Sequence, residues 1–256
     1  MKFKFVIAVL CTCAGLLFCP PCYSQLESLY RPFFPLGKGS YWVYQGVARW
    51  TDFKTQQALI KEITWTMKIT DVIMRGILTA AVVQGHPKDL AWYEEGLQPG
   101  NYLIINLGNK YYLVEGERFE EVLQRLKNEN DDLKDLVQED ELFLEESSSG
   151  VAHAFGDPQQ LTRSDWLYFW YVEDVSQVSL KDLKGLETEG LQLQYRLAYR
   201  SAPDDVHVDI VPGVGITRYI YNHHGTVAQA DVWLIEYSPG QEDHNSGVVL
   251  LKRNGK

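Results

Sequence analysis

Trp166, Tyr168 and Trp170 recur at every second position, with Leu167, Phe169 and Tyr171 between them. On an extended strand this spacing sets three large rings on one face and three apolar side chains on the other. Such a strand must be covered on both sides, by core and insertion or by core and ligand. Together with Trp65 and Trp233, and with Trp42 and Trp92, these rings could line a cavity for a lipid or offer stacking surface for a sugar. They could equally fill the core of a curved sheet.

Other chemistry is thinner. His207-Val208-Asp209 places an imidazole and a carboxylate on one face of a strand, as two metal ligands would be, but nothing local supplies a third. His223-His224 falls in an expected turn, where adjacent side chains diverge. Glu94-Glu95 and Asp204-Asp205 are paired carboxylates of the kind a glycosidase uses, although that reaction needs two acids facing each other across the substrate. There is no Gly-x-Ser-x-Gly elbow, Ser-x-x-Lys or His-Glu-x-x-His. Gly37-Lys38-Gly39-Ser40 is too short for a phosphate loop and reads as a turn before a strand. No catalytic residue, metal site or cofactor is expected.

The elements that would carry these side chains are mostly strands. Ile63, Trp65, Met67 and Ile69 alternate with polar residues; Arg75-Gly76 interrupts, and residues 77–84 read as the returning strand. Residues 102–105 and 111–114 flank Gly108-Asn109, a Gly-first pair suited to a type II′ hairpin. Residues 191–199, 206–210, 214–221 and 226–237 form a meander, with a bend or bulge expected at Pro212-Gly213-Val214-Gly215. The period changes at Phe119, Val122, Leu123 and Leu126, which predict a helix; Leu133, Leu136 and Val137 predict its partner. Residues 115–146 hold 13 acidic and 4 basic side chains, so nearly all of the formal charge of −10 sits on this stretch, which contains the helical insertion, about 117–140. Its bland role is a solvated helix face; its sharper one is docking of a basic partner or a cation. The expected fold is mainly β: a curved antiparallel sheet, half-barrel-like, with a short acidic helical insertion.

The chain has 256 residues, 45% of them hydrophobic. That is too apolar for a disordered chain, and the acidic balance argues against a nucleic-acid partner. Lys2 and Lys4 precede an apolar run from Phe5 to Phe18, and Cys22-Tyr23-Ser24 offers an exit before Gln25. These are the parts of a secretory signal peptide over residues 1–24. The run is short for a membrane-spanning helix. Cleavage after Ser24 is the preferred reading. Lipidation at Cys19 or Cys22 and a retained anchor are the alternatives, although Phe18 and Pro21 are poor residues to precede a lipidated cysteine. All four cysteines (Cys11, Cys13, Cys19, Cys22) fall in the leader, so a chain cleaved there has no thiol for disulfides or zinc. Residues 25–240 then read as one β-rich domain and 241–256 as a polar tail. The compartment expected is the periplasm or the outside of the cell.

Two stretches resemble the ends of a group of uncharacterised secreted bacterial proteins and lipoproteins. Phe33-Phe34-Pro35-Leu36-Gly37-Lys38-Gly39-Ser40-Tyr41-Trp42-Val43-Tyr44 is similar to their opening strand, and residues 212–219 with Leu234-Ile235-Glu236-Tyr237 are similar to their closing strands. The resemblance implies an exported β-rich protein and carries no catalytic residues; the acidic insertion is outside it. The function expected is non-enzymatic binding of a lipid, another apolar ligand or an envelope protein. A glycan-binding module or carboxylate-dependent glycan hydrolase is the alternative.

Overall fold

The computed structural model describes residues 32–52, 54–146, 151–186 and 190–240. The expected leader, the Ser147–Gly150 linker and the tail from 241 lie outside the described residues. The architecture is that of the compact unit that begins at Phe33.

Twelve antiparallel strands form one sheet: β1 (Tyr41–Thr51), β2 (Ala58–Arg75), β3 (Leu78–Gln84), β4 (Asn101–Leu107), β5 (Lys110–Val114), β6 (Leu142–Glu145), β7 (Ala154–Phe155), β8 (Trp170–Ser179), β9 (Leu191–Arg200), β10 (Asp204–Val211), β11 (Gly215–His223) and β12 (Ala228–Ser238). β1 pairs with both β2 and β12, and the two meanders run outward from it to β6 and β7. The sheet is curved as expected, and curls until these two end strands lie side by side in a nearly closed barrel. Closure hides most of the free sheet edge. The hairpins follow the sequence: Gly108, at φ 69°, opens the β4–β5 turn as a type II′ turn requires. Pro212-Gly213-Val214 forms the β10–β11 turn, with a bulge beside it at Asp209/Ile210.

Inward positions carry the core. Trp42, Tyr44 and Ala48 of β1 and Ile63, Trp65, Met67 and Ile69 of β2 are buried. β4 is buried on both faces: Tyr102 looks inward, while Leu103 and Ile105 meet helix α1 (Glu117–Lys127), which covers the outside through Phe119, Val122, Leu123 and Leu126. The expected partner of that helix does not form. Residues 133–137 are irregular, with a turn at Lys134-Asp135 and with Leu133 and Asp135 at positive φ (55° and 53°). The carboxylates of Asp131 and Asp132 accept from the amides of Leu133 (2.8 Å) and Lys134 (3.1 Å), so the side chains take over the donors a helix would use.

Arg75 organises this region. Its guanidinium donates to the carbonyls of Leu126, Asn128, Glu129 and Asp131 at 2.9–3.1 Å, capping the negative end of α1. Arg75→Met is expected to cost about 2 kcal/mol in urea unfolding and to speed amide exchange across 128–137. Arg75→Lys should recover less than half of the loss, because one ammonium cannot serve four carbonyls.

Both mouths of the barrel are filled. At the end where β1 starts, Phe34 packs on Trp42 (ring centroids 5.5 Å) and Phe143 (6.4 Å), while the Trp42 indole donates to the Val214 carbonyl at 2.6 Å. The two stretches that carry the resemblance therefore meet here. A Cβ at Gly215 would lie 3.2 Å from the Phe34 ring. Residues 183–186 cross the same mouth to β12, the Tyr237 amide donating to the Lys184 carbonyl at 2.9 Å. A loop over 85–100 leaves β3 beside Thr66 and carries its tip, Trp92 and Tyr93, to the opposite mouth; Gly85 N–H donates to the Gly100 carbonyl (2.9 Å) and closes its neck. It buries His86, Pro87 and Leu90, and the Trp65 indole donates to the Gly85 carbonyl at 2.9 Å.

Candidate functional site

The end of the sheet at which β1 and β9 finish and β8 and β12 start presents two open clefts. The first has a volume of about 390 Å³ and lies beside the β6–β7 seam. Trp170 and Tyr199, paired across β8 and β9, form its wall with ring centroids 5.3 Å apart. Tyr168 and Arg163 stand above them, the guanidinium 4.9 Å from the Tyr168 ring centroid, a cation–π distance. Glu139, Asp140 and Asp157 bring carboxylates to the rim. Burial pushes the Tyr199 phenol up, and Tyr168, Asp204 and Asp140 add to the effect in turn.

The backbone at this cleft is unusual. β8 begins only at Trp170, so the expected strand over 166–171 is confined to its last two residues. Trp166 and Tyr168 both adopt left-handed conformations, φ 59° and 69°. Bulky L-residues pay on the order of 1 kcal/mol or more for this. Local contacts hold them there. Tyr168 N–H donates to the Arg200 carbonyl at 2.6 Å, Arg163 chelates Asp165 at 2.9 and 2.6 Å, and Trp166 lies edge-on to Tyr171 at 5.1 Å. The rings of 166 and 168 therefore do not share a strand face. Trp166, 43% exposed, packs with Phe169 and Tyr171 on the outside, while Tyr168 serves the cleft.

The other sequence candidates lie elsewhere. Trp65 is 7% exposed inside the barrel, and Trp233, 47% exposed, is on β12 opposite Arg218. Of these five rings, the structure brings Tyr168 and Trp170 to one cleft. His207 and Asp209 share a face but have separate partners: His207 meets Glu173 (2.9 Å) and Asp205 (3.2 Å), and Asp209 takes a bidentate pair from Arg196. Asp204 and Asp205 point to opposite sides of β10. Asp205 joins Arg200 outside, and Asp204 accepts from Tyr221 (2.6 Å) and Ser201 (3.1 Å) and contacts His223 (3.0 Å) at the mouth. Burial raises the Asp204 carboxyl, but its bonds from His223, Tyr221 and Ser201 outweigh this and hold it below the usual range.

The second cleft, about 450 Å³, lies between the tip of the 85–100 loop and the ends of β1, β2 and β12. Trp50 meets Tyr93 edge-to-face at 5.1 Å, with Leu59 and Ala228 as apolar floor and Asp52, Lys54 and Glu94 as polar rim. Glu95 is drawn aside by Lys61 at 2.7 Å, which separates it from Glu94. Trp50, Tyr93, Tyr199 and Arg163 were not singled out by sequence. Tyr199 was visible as the last inward member of the 191–199 alternation, whereas Arg163 had no signal.

No family model matches the chain, and no curated protein matches its sequence. Two solved structures are similar to it. One, from Bacteroides fragilis, is described as exported with a YmcC-like fold: 7% identity, TM-score 0.37, covering 82% of this chain and 100% of that one. The other, from Parabacteroides distasonis, is described as a lipoprotein: 12% identity, TM-score 0.33, covering 81% of this chain and 99% of that one. Among the described residues no helix is long and apolar enough to cross a membrane.

Proposed function

We propose that the chain is exported and acts as a non-catalytic carbohydrate receptor through the Tyr168–Trp170–Tyr199 cleft. The basic-then-apolar N-terminal pattern, and the confinement of cysteine to it, support export. The observation that carries the binding reading is Tyr168, held in a left-handed backbone so that its ring, Trp170 and Tyr199 flank one open cleft rimmed by charged groups. Pyranose rings present apolar C–H faces and hydroxyl edges, which stacked aromatics and carboxylate or guanidinium groups satisfy respectively. An apolar ligand in the lumen is less favoured, since Trp42, Tyr44, Met67, Ile104 and the inserted 85–93 segment occupy that space. Binding is preferred to hydrolysis because two of the three rim acids are sequence neighbours and the third already has a partner. Glu139 and Asp140 are neighbours on one turn, and Asp157 is engaged with the Gln159 amide at 2.8 Å.

The test is a glycan array probed with residues 25–256, followed by calorimetry on the hits. Trp170→Ala should weaken binding roughly tenfold, about 1.4 kcal/mol. Tyr168→Gly should lose binding similarly while keeping Tm within about 2 °C, because glycine relieves the left-handed strain that offsets the lost packing. An array without hits, together with co-purified lipid in native mass spectrometry, would return the apolar-ligand reading to first place.

A further inference from the structure

We infer that the two clefts are the two ends of one extended site, and that its ligand is a glycan chain of several residues rather than a single sugar. The inference rests on the carbohydrate reading above and adds the length of the ligand. Strand direction places both clefts at one mouth: Trp50 and Thr51 end β1, Ala228 opens β12, Tyr199 nears the end of β9 and Trp170 opens β8. Their chemistry is the same. Each sets aromatic rings against carboxylates and one cationic side chain, Arg163 in the first and Lys54 in the second.

The ground between them is continuous in character. Trp92, 52% exposed at the tip of the inserted loop, lies 4.6 Å from the His223 ring. His223 contacts Asp204 at 3.0 Å, and Asp204 lies on the same face of β10 as Val206, the register partner of Tyr199. The path from Trp50 and Tyr93 through Trp92, His223 and Asp204 to Tyr199 and Trp170 thus alternates ring and polar group. Each cleft alone sits at the small end of the roughly 300–1,000 Å³ range of ligand sites, room for a short unit. Two such units at one mouth, joined by a half-exposed tryptophan, fit a chain.

The experiment uses residues 25–256 and calorimetry with matched di- and hexasaccharides of the cello, chito, malto and xylo series, with a proline-rich decapeptide as the polymer of another class. Indole N–H signals are read in the same titrations. The expected result is a hexasaccharide that binds at least tenfold tighter than its own disaccharide and moves the indole signals of both Trp170 and Trp92. Trp92→Ala should erase that length gain. Equal affinity for both lengths, with only Trp170 responding, would overturn the extended site and leave the single-cleft reading standing. A length gain that survives both Trp92→Ala and Trp50→Ala would also overturn it. Absence of binding by every oligosaccharide, whether or not the decapeptide binds, would remove both readings together.

Discussion

Gly46→Ala is expected to destabilise this protein by at least about 3 kcal/mol, the upper range of overpacking penalties. The sign is the informative part, since alanine ordinarily stabilises a strand interior relative to glycine by roughly 0.5–1 kcal/mol. Gly46 lies mid-β1, opposite Val232 of β12 and Ile63 of β2. A Cβ there would stand 2.0 Å from the Asp231 carbonyl oxygen and 2.7 Å from the Val232 Cα. Those are backbone atoms of a paired strand, and they cannot retreat without breaking the β1–β12 ladder at the middle of the sheet. At roughly 2–4 °C per kcal/mol for a chain of this size, the Tm should fall by about 6–12 °C. Gly76→Ala, at φ 62° on a hairpin tip with nothing within 4 Å, is the control and should cost about 1 kcal/mol. Equal effects at the two positions would show that β12 can give way.

The second large effect is acid lability at His86. Its ring is fully buried, and Nδ1 accepts from the Lys88 amide at 3.2 Å, which puts the hydrogen on Nε2. Among the described residues, Nε2 has no hydrogen-bond partner. Burial, with a smaller contribution from the Lys88 charge, pushes the imidazole down to about 3 from an ordinary 6.5. The unfolded chain therefore takes up a proton below pH 6.5 that the folded chain refuses until near pH 3. Stability from the neutral ring is complete above 6.5 and drains as pH falls through that window, by a few kcal/mol in all. Urea midpoints at pH 7 and pH 4 should differ more for the parent than for His86→Asn, whose side-chain oxygen can take the place of Nδ1. Parallel pH slopes would show that the ring protonates in the folded state.

Strand content was legible because one buried face imposes period two: Ile63, Trp65, Met67 and Ile69 point inward as their spacing requires. The type II′ hairpin was legible because Gly108 carries its own conformational preference. What escaped were features that depend on partners distant in sequence. Leu133, Leu136 and Val137 have helical spacing, but the Asp131 and Asp132 side chains take the first amides of that backbone, while a guanidinium from β2 holds the carbonyls just before it. The 166–171 run has a strand's pattern, yet the Arg163–Asp165 pair and the bond to Arg200 fold its first half into left-handed turns. The second cleft joins residues from four separate parts of the chain, so no local pattern marks it. Its legible traces were Trp92 and the Glu94-Glu95 pair, and Lys61 divides the latter.

The position of Phe33 and Phe34 has a spatial consequence. They seal the mouth where β1 starts, and both clefts open at the other. The length of the barrel therefore separates Phe33 and Phe34 from both clefts, so a substitution at either phenylalanine would reach the clefts only through the packed core.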